Sequence, residues 1–158
     1  MRRLGPEDHA LLRDLRLRSL ADSPEAFGST HEAEAGLTER DWARRLEPGG
    51  YPHFACLVDD VPVGMVAVGH DPANPTVAYI LGMWVDPAAR GTGAVDALIV
   101  EALRSAEDQG CTSTTLHVTE GNDRAERAYQ RHGFTRTGSR YVRDRDGRYE
   151  IEMERIAG

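Results

Sequence analysis

The chain has 158 residues, enough to bury a core in one domain, and 40% of them are hydrophobic and 28% charged, as in ordinary globular proteins. We therefore predict a single domain over residues 1–158 and a cytoplasmic protein without a membrane partner, since no apolar run approaches the roughly 20 residues of a bilayer span. The net charge of −7 argues against a nucleic-acid partner, and the absence of lysine excludes sites built on a P-loop or Schiff-base lysine. The six histidines are scattered without ligand spacing, so we expect no metal site.

The N-terminal third is predicted to be helical after a short first strand near residues 2–4. Leucines at helical spacing follow Pro6, which suits the first turn of a helix. The stretch "ADSPEAFGSTHEAEAG" has the composition of a loop. Thr38 is then a suitable N-cap for a second, shorter helix.

The middle of the chain is predicted to be rich in strands. The runs "PHFACLVDD" and "VPVGMVAVGH" flank Asp59 and Asp60 and predict an antiparallel hairpin. The run "PTVAYILGMWVD" is apolar at nearly every position, which predicts a strand covered on both faces. Gly82 inside it indicates a bulge or a close backbone approach. Cys56 and Cys111 lie in strand-like runs and are expected to be buried thiols rather than a disulfide.

The hydrophobic period becomes helical from Gly91, and the predicted helix carries one apolar stripe and ends at Gly110. A strand carrying His117 follows, then a short helix that ends at Gly133, and then two strands around the turn Asp146-Gly147. The order βααβββαβαββ predicts an α+β fold with a mixed, mostly antiparallel sheet of about seven strands, flanked on both faces by about four helices. The sequence leaves the oligomeric state open: the last strand, "YEIEM", could pair across a homodimer if it lies at an edge of the sheet, whereas its glutamates oppose such association.

Two glycines at the start of the long helix point to a ligand. A helix N-terminus offers unpaired N–H groups and partial positive charge to an anion, and Gly91 and Gly93 remove the side chains that would hold the anion away. Arg90 adds a charged group beside them, so a diphosphate fits the site. The alternative is that the glycines only form a tight strand-to-helix turn. A dinucleotide fingerprint is excluded because Asp96 occupies the third glycine position and the turn follows an antiparallel hairpin.

A second motif, "LHVTEGNDRAERAYQRHGF" at residues 116–134, strengthens the first. Together the two resemble the GNAT superfamily of N-acetyltransferases over nearly the whole chain. The first matches its signature Arg/Gln-x-x-Gly-x-Gly/Ala at Arg90, at Gly93 and, imperfectly, at Val95. The second matches the strand-then-helix signature at Leu116, Val118, Asn122, Ala125, Tyr129, Gly133 and Phe134.

The resemblance implies direct transfer of an acetyl group from acetyl-CoA to a primary amine of a small molecule or of a peptide N-terminus. It also implies that the buried strand separates from its neighbour, so that its backbone binds the pantetheine arm of acetyl-CoA. Asn122 would bind the same arm, and the glycine turn would hold the pyrophosphate. Val95 stands where the family has Gly or Ala, and its branched side chain crowds that turn. The residues expected to bind the cofactor are Met83, Trp84, Val85, Arg90, Gly91, Thr92, Gly93, Ala94, Val95, Asn122 and Ala125.

The resemblance also implies two catalytic side chains. Tyr129 occupies the position of the general acid that protonates the leaving thiolate, and a phenol with a reference pKa of about 10 suits that task; the alternative is a core tyrosine. Leu81 stands where many members carry the basic glutamate. His117 occupies the position that another branch gives to a glutamate, and histidine titrates near neutral pH; the alternative is a polar residue on a half-solvated strand.

An acceptor pocket is expected between the first two helices and the last hairpin. Phe27 would form its wall, and Glu25, Glu32 and Glu34 either attract a cationic amine or are simply solvated. A different function on the same fold is a non-catalytic acyl-CoA-binding or sensor protein, which Val95 and the missing strand carboxylate favour. A pure interaction module is a third function, and it leaves the two glycines unexplained.

Overall fold

The computed structural model describes residues 1–158 as one seven-stranded sheet with five α-helices. The helices are α1 (His9–Asp22), α2 (His31–Ala35), α3 (Glu39–Arg44), α4 (Ala94–Asp108) and α5 (Asp123–Arg131). The strands are β1 (Arg2–Arg3), β2 (His53–Val58), β3 (Val61–Asp71), β4 (Asn74–Val85), β5 (Ser113–Thr119), β6 (Thr135–Val142) and β7 (Tyr149–Ile156). None of the helices is long and apolar enough to cross a bilayer.

Side-chain caps set the beginnings of the N-terminal helices. Thr38 accepts a hydrogen bond from the Asp41 N–H, and Asp41 accepts one from the Thr38 N–H, so α3 begins in a complete capping box. Thr30 caps α2 with a single bond, accepted by its hydroxyl from the Ala33 N–H. Helix α2 corrects the prediction of a loop here: its five residues lack an apolar period, and the cap at Thr30 was the available signal.

The sheet is mostly antiparallel, as predicted, with the spatial order β1-β2-β3-β4-β5-β7-β6. Asp59 and Asp60 have φ values of 51° and 63°, so the predicted hairpin of β2 and β3 turns through two left-handed residues, as a type I′ turn requires. Only β4 and β5 run parallel. β7 lies between β5 and β6. The expectation that the last strand could pair across a dimer is therefore wrong, because the free edges of the sheet are β1 and β6.

Successive residues of the central strands enter two different cores, one on each face of the sheet. Phe54 and Val66 pack with α4 and α5, whereas their neighbours Ala55 and Met65 pack with α1 and α3. The second core is centred on Trp42, which is fully buried. The predicted placement of helices on both faces is thus confirmed, and both cysteines are buried free thiols.

Strand β4 is bulged and only partly covered. Gly82 has φ +60°, and Gly82 and Met83 together oppose Val66 of β3. The prediction that both faces of β4 are covered is wrong at Leu81, which is 41% exposed. Pairing of β4 with β5 stops at Tyr79, although both strands continue, so the two strands separate toward their carboxyl ends. This separation opens the centre of the sheet.

Candidate active site between strands β4 and β5

A cavity of about 410 Å³ occupies the place where β4 and β5 separate. It contacts the loop after α1 on one face of the sheet and α5 on the other, so it passes through the gap between the strands. Its lining comes from four segments of the chain, namely Ser23, Ala26 and Phe27; Met83, Trp84 and Val85; Arg90, Gly91, Gly93, Val95 and Asp96; and Asn122, Arg124, Ala125, Ala128, Tyr129 and Arg131.

The glycine turn presents bare backbone to this cavity. Gly91 and Gly93 have φ values of +78° and +91°, which favour glycine, and a Cβ built on either residue would meet no atom within 4 Å. Helix α4 begins at Ala94 rather than at Gly91, and no side chain caps it. The N–H groups of its first turn are therefore open to an anion.

Two of the residues expected at this turn point away from the cavity. The Thr92 hydroxyl donates to the Ala89 carbonyl, and the Ala94 side chain is buried in the core under α4. Their side chains thus shape the turn, and only their backbone belongs to the start of the helix. Val95 lines the cavity and packs against the core, so its branched side chain narrows the site without closing it.

The Arg90 side chain makes two hydrogen bonds within the protein. Its Nε donates to the Val85 carbonyl at 3.0 Å and its Nη2 to Asp22 at 2.7 Å. Asp22 also accepts from Trp84 Nε1 at 3.0 Å. Burial opposes ionisation of Asp22, yet these hydrogen bonds hold its pKa below the ordinary value. Arg90 therefore ties the turn to β4 and to α1, in addition to lining the cavity.

Two arginines missed by the sequence reasoning supply positive charge on α5. Arg124 and Arg131 line the cavity two turns apart on one helix face. Arg131 pairs with Asp96 at 3.1 Å, whereas Arg124 has no carboxylate partner. Their spacing of seven residues was the signal available in the sequence. Arg124 is therefore the more accessible cation for an anionic group in the cavity.

Tyr129 projects from α5 into the same cavity. Its ring packs edge-to-face against Phe134 with centroids 5.8 Å apart, and its hydroxyl makes no hydrogen bond within the protein. Burial raises the pKa of Tyr129, so the phenol stays protonated at neutral pH. Asn122 uses its carbonyl oxygen to cap α5 at the Ala125 N–H, which leaves its amide N–H groups for a ligand. Ala125 lies in the wall between them.

His117 does not line this cavity but lies on the face of the sheet that carries α1. It is directly opposite Glu152 of β7, with Nε2 at 3.3 Å from the carboxylate, and Nδ1 is 3.9 Å from Glu150. The rings of Tyr79 and Tyr141 flank it at 6.3 and 5.0 Å. Tyr129 packs in the core on the opposite face. The two candidate catalytic side chains thus lie on either side of the gap.

The loop between α1 and α2 closes the α1 face of the cavity. Phe27 lines it as expected. The expectation for Glu34 is wrong: this side chain is 4% exposed and bound by Arg16 and Arg45, so it is a structural anion rather than a surface attractor of cations. Glu32 is exposed to solvent, and Glu25 contributes its backbone carbonyl to the contacts of the loop.

Two arginines of the β6–β7 hairpin bind this loop through its backbone. Arg143 donates to the Glu25 carbonyl at 2.6 Å, and Arg145 donates to the carbonyls of Pro24 and Phe27 at 2.9 and 2.7 Å. Thr119 of β5 adds a further bond to the Glu25 carbonyl at 3.1 Å. The hairpin and the loop therefore form one connected wall.

Asp146 orients Arg143, which makes the wall sensitive to acid. The hydrogen bond from Arg143 lowers the pKa of Asp146 from 3.8 to about 2. A carboxyl whose pKa is lower in the folded state stabilises the protein at pH values above its pKa in the unfolded state. This stabilisation is lost as the pH falls toward the folded-state pKa. We expect this contribution to be intact above pH 4 and lost between about pH 4 and 2. A carboxyl-detected NMR titration measures it; an Asp146 pKa of 3.8 or more contradicts the contact.

The chain resembles known proteins in sequence and in structure. The profile of the Acetyltransferase (GNAT) family matches residues 14–134. The chain is 30% identical over 136 residues to a mycothiol acetyltransferase of Thermobispora bispora and 33% identical over 138 residues to one of Mycobacteroides abscessus. These alignments cover 84% and 83% of the chain but only 44% and 43% of the relatives. The chain thus spans less than half the length of these relatives.

Solved structures share the fold over almost the entire chain. The ribosomal-protein-alanine N-acetyltransferase of Brucella melitensis superimposes with a TM-score of 0.79 at 17% identity, covering 99% of this chain and 98% of that one. The structure of yncA from Salmonella typhimurium with its cofactor acetyl-CoA gives 0.80 at 17% identity, with coverage of 98% and 91%. At these identities the likeness concerns the fold alone.

Proposed function

This chain belongs to the GNAT family of acetyltransferases, and from that premise we propose that it transfers the acetyl group of acetyl-CoA directly to a primary amine. The observation that carries the proposal is the cavity that crosses the sheet between β4 and β5. A thioester held in that gap is open to an amine on one face and to a proton donor on the other. Because both cores share one sheet, we also propose that residues 1–158 act as one domain.

The residues around the cavity fit acetyl-CoA. The bare turn at Gly91 and Gly93, with the uncapped start of α4, suits a pyrophosphate, and Arg124 lies close by without a carboxylate partner. Beyond Tyr79, β4 has no partner on its β5 side, so the amides of pantetheine can pair with its backbone as an added strand. The amide N–H groups of Asn122, which make no bond within the protein, would also bind pantetheine.

We propose that Tyr129 is the general acid. As the amine nitrogen bonds to the acetyl carbon, the carbon–sulfur bond breaks and a thiolate leaves; Tyr129 donates its phenolic proton to that sulfur. Burial, which raises the pKa of Tyr129, keeps this proton in place before the reaction. No acyl-enzyme is proposed, because no cysteine or histidine lines the cavity and the hydroxyl of Ser23 donates to Asp22.

We propose His117 as the general base that removes the proton of the attacking ammonium. It lies on the face from which the amine would approach, and Glu152 opposes it across the strand pair. Although burial opposes ionisation of Glu152, hydrogen bonds from three neighbouring side chains hold its pKa below the ordinary value. Glu152 therefore stays anionic and stabilises the protonated imidazole that the reaction forms.

The acceptor is proposed to be a small molecule with a primary amine, or a peptide N-terminus. The curated relatives are named mycothiol acetyltransferases, which favours the small molecule. The test is acetyl-CoA turnover, followed as free CoA with a thiol reagent, against a panel of primary amines. Release that requires an amine supports the transferase.

The second candidate function is acyl-CoA binding without catalysis. Two features favour it: Val95 narrows the turn, and Leu81 stands where the family resemblance implies a basic glutamate. Calorimetric titration with acetyl-CoA separates the two functions when it is combined with the turnover assay. Binding without release of CoA, whichever amine is added, would establish the binding protein.

Replacing His117 by Gln is expected to lower kcat/KM about 100-fold at pH 7. The loss should shrink as the pH rises, because a larger fraction of the amine is then already deprotonated and needs no base. The measurement is kcat/KM for one amine from pH 6 to 10 in the wild type and in His117→Gln. Parallel pH profiles for the two proteins would exclude His117 as the base.

A further inference from the structure

A guanidinium group lies beside the bulge of β4, on the face of the sheet that carries α1. A Cβ built on Gly82 would have Arg16 Nη1 at 3.7 Å and no other atom within 4 Å. Gly82 has a left-handed backbone at φ +60° and directly precedes Met83, which lines the cavity between β4 and β5, here called the central cavity. The open side of Gly82 thus faces one nitrogen of Arg16.

Glu34 fixes the orientation of this guanidinium. Arg16 Nε lies 3.1 Å from both carboxylate oxygens of Glu34, and Nη2 lies 3.1 Å from one of them. The group also stacks on the Phe27 ring, with Cζ 5.0 Å from its centroid. Nη1 makes no hydrogen bond within the protein, although only 18% of the side chain is exposed. Two nitrogens of Arg16 are therefore structural, and the third is available.

The surroundings of Arg16 carry one uncompensated positive charge. Glu34 is the single anion between two cations, because Arg45 Nη1 binds its other oxygen at 2.8 Å. Arg16, Arg45 and Gly82 border a smaller cavity of about 170 Å³ that no carboxylate lines. His53 lies in the same wall, and its pKa is lowered, first by burial and then by the two arginine charges. The site is thus suited to an anionic group.

We propose that Arg16 binds a carboxylate of the acceptor, so that the acceptor is an α- or β-amino acid. The inference rests on the proposed transferase function. Gly82 is one strand residue, about 3.3 Å, from Met83 in the wall of the central cavity. Arg16 also stacks on the Phe27 ring, which lines that cavity, so a group held by Arg16 would lie close to an amine placed to attack the thioester. The excess charge favours a carboxylate over a neutral carbonyl.

The test compares Arg16→Gln with Arg45→Gln on four amines: L-alanine, β-alanine, L-alaninamide and ethylamine. Both variants remove one arginine from Glu34, but only Arg16 faces Gly82. We expect Arg16→Gln to lower kcat/KM for at least one of the two carboxylates about 10- to 100-fold, the range for a charge-assisted hydrogen bond. Activity on ethylamine and L-alaninamide should change by less than about threefold. Arg45→Gln should reduce the preference for carboxylates less than Arg16→Gln does, because it removes charge from the site but not the nitrogen that faces Gly82. Thermal melts of both variants report folding.

The other outcomes overturn the inference in distinguishable ways. An equal loss on all four amines in Arg16→Gln would mean that Arg16 acts on the thioester or only on the fold. Equal changes in the two variants would mean that the arginines merely support Glu34. Turnover of ethylamine in the wild type without preference for a carboxylate would leave the transferase standing and remove the role of Arg16. If acetyl-CoA binds and no amine is acetylated, the proposed function fails and the inference fails with it.

Discussion

Replacing Tyr129 by Phe is expected to lower kcat about 100- to 10,000-fold, the usual contribution of a general acid. The substitution removes only the hydroxyl, which has no hydrogen-bond partner in the protein, so the ring should keep its packing against Phe134. The affinity for acetyl-CoA should therefore change little. Calorimetric titration of acetyl-CoA and an assay of CoA release on the same samples measure both quantities.

The matched control is Tyr149→Phe on β7, whose side chain does not line the central cavity. It removes a hydroxyl without touching the proposed acid and should leave kcat unchanged. Full activity in Tyr129→Phe would show that the thiolate leaves without this proton donor. Loss of acetyl-CoA binding in that variant would instead make Tyr129 a binding residue.

Replacing Gly93 by Ala is expected to weaken acetyl-CoA binding about 100- to 1,000-fold, the loss of roughly two charge-assisted hydrogen bonds at about 1.5 to 2 kcal/mol each. The new methyl group would occupy the open space in which the N–H groups at the start of α4 meet a phosphate. The variant should also lose about 1–2 kcal/mol of unfolding free energy, because φ is +91° at this position. Calorimetry measures the first effect and urea denaturation the second.

Gly110→Ala separates these two effects. Gly110 follows the other end of α4, also has a left-handed φ of +81°, and also has open space around its Cβ position. It should show a similar loss of stability and unchanged binding of acetyl-CoA. If both variants bind acetyl-CoA like the wild type, the glycine turn has no part in holding the cofactor.

Local chemistry made much of this fold predictable from the sequence. The Asp59-Asp60 hairpin, the cap at Thr38 and the bulge at Gly82 each depend on a few adjacent residues with strong conformational preferences. The place of the cavity followed from the glycine turn and from the strand-then-helix motif, because both lie at the carboxyl ends of neighbouring strands.

Contacts between segments far apart in the chain could not be predicted from the sequence. Glu34 is an ordinary loop glutamate in the sequence, and only the fold brings Arg16 to it from 18 residues away. The pairing of Arg90 with Asp22 spans 68 residues. The insertion of β7 between β5 and β6 depends on which edge of β5 is vacant, and no local pattern encodes that. The role of each arginine was therefore the least predictable part of the site.

The wall formed by the β6–β7 hairpin and the α1–α2 loop bears on how such a protein can change during evolution. Arg143, Arg145 and Thr119 bind carbonyl oxygens of the loop, and every residue type supplies a carbonyl. These hydrogen bonds therefore do not depend on which side chains the loop presents to the cavity. Substitutions at Ala26 can alter the shape offered to an acceptor while the loop remains fastened, so a new acceptor preference is open to a single mutation.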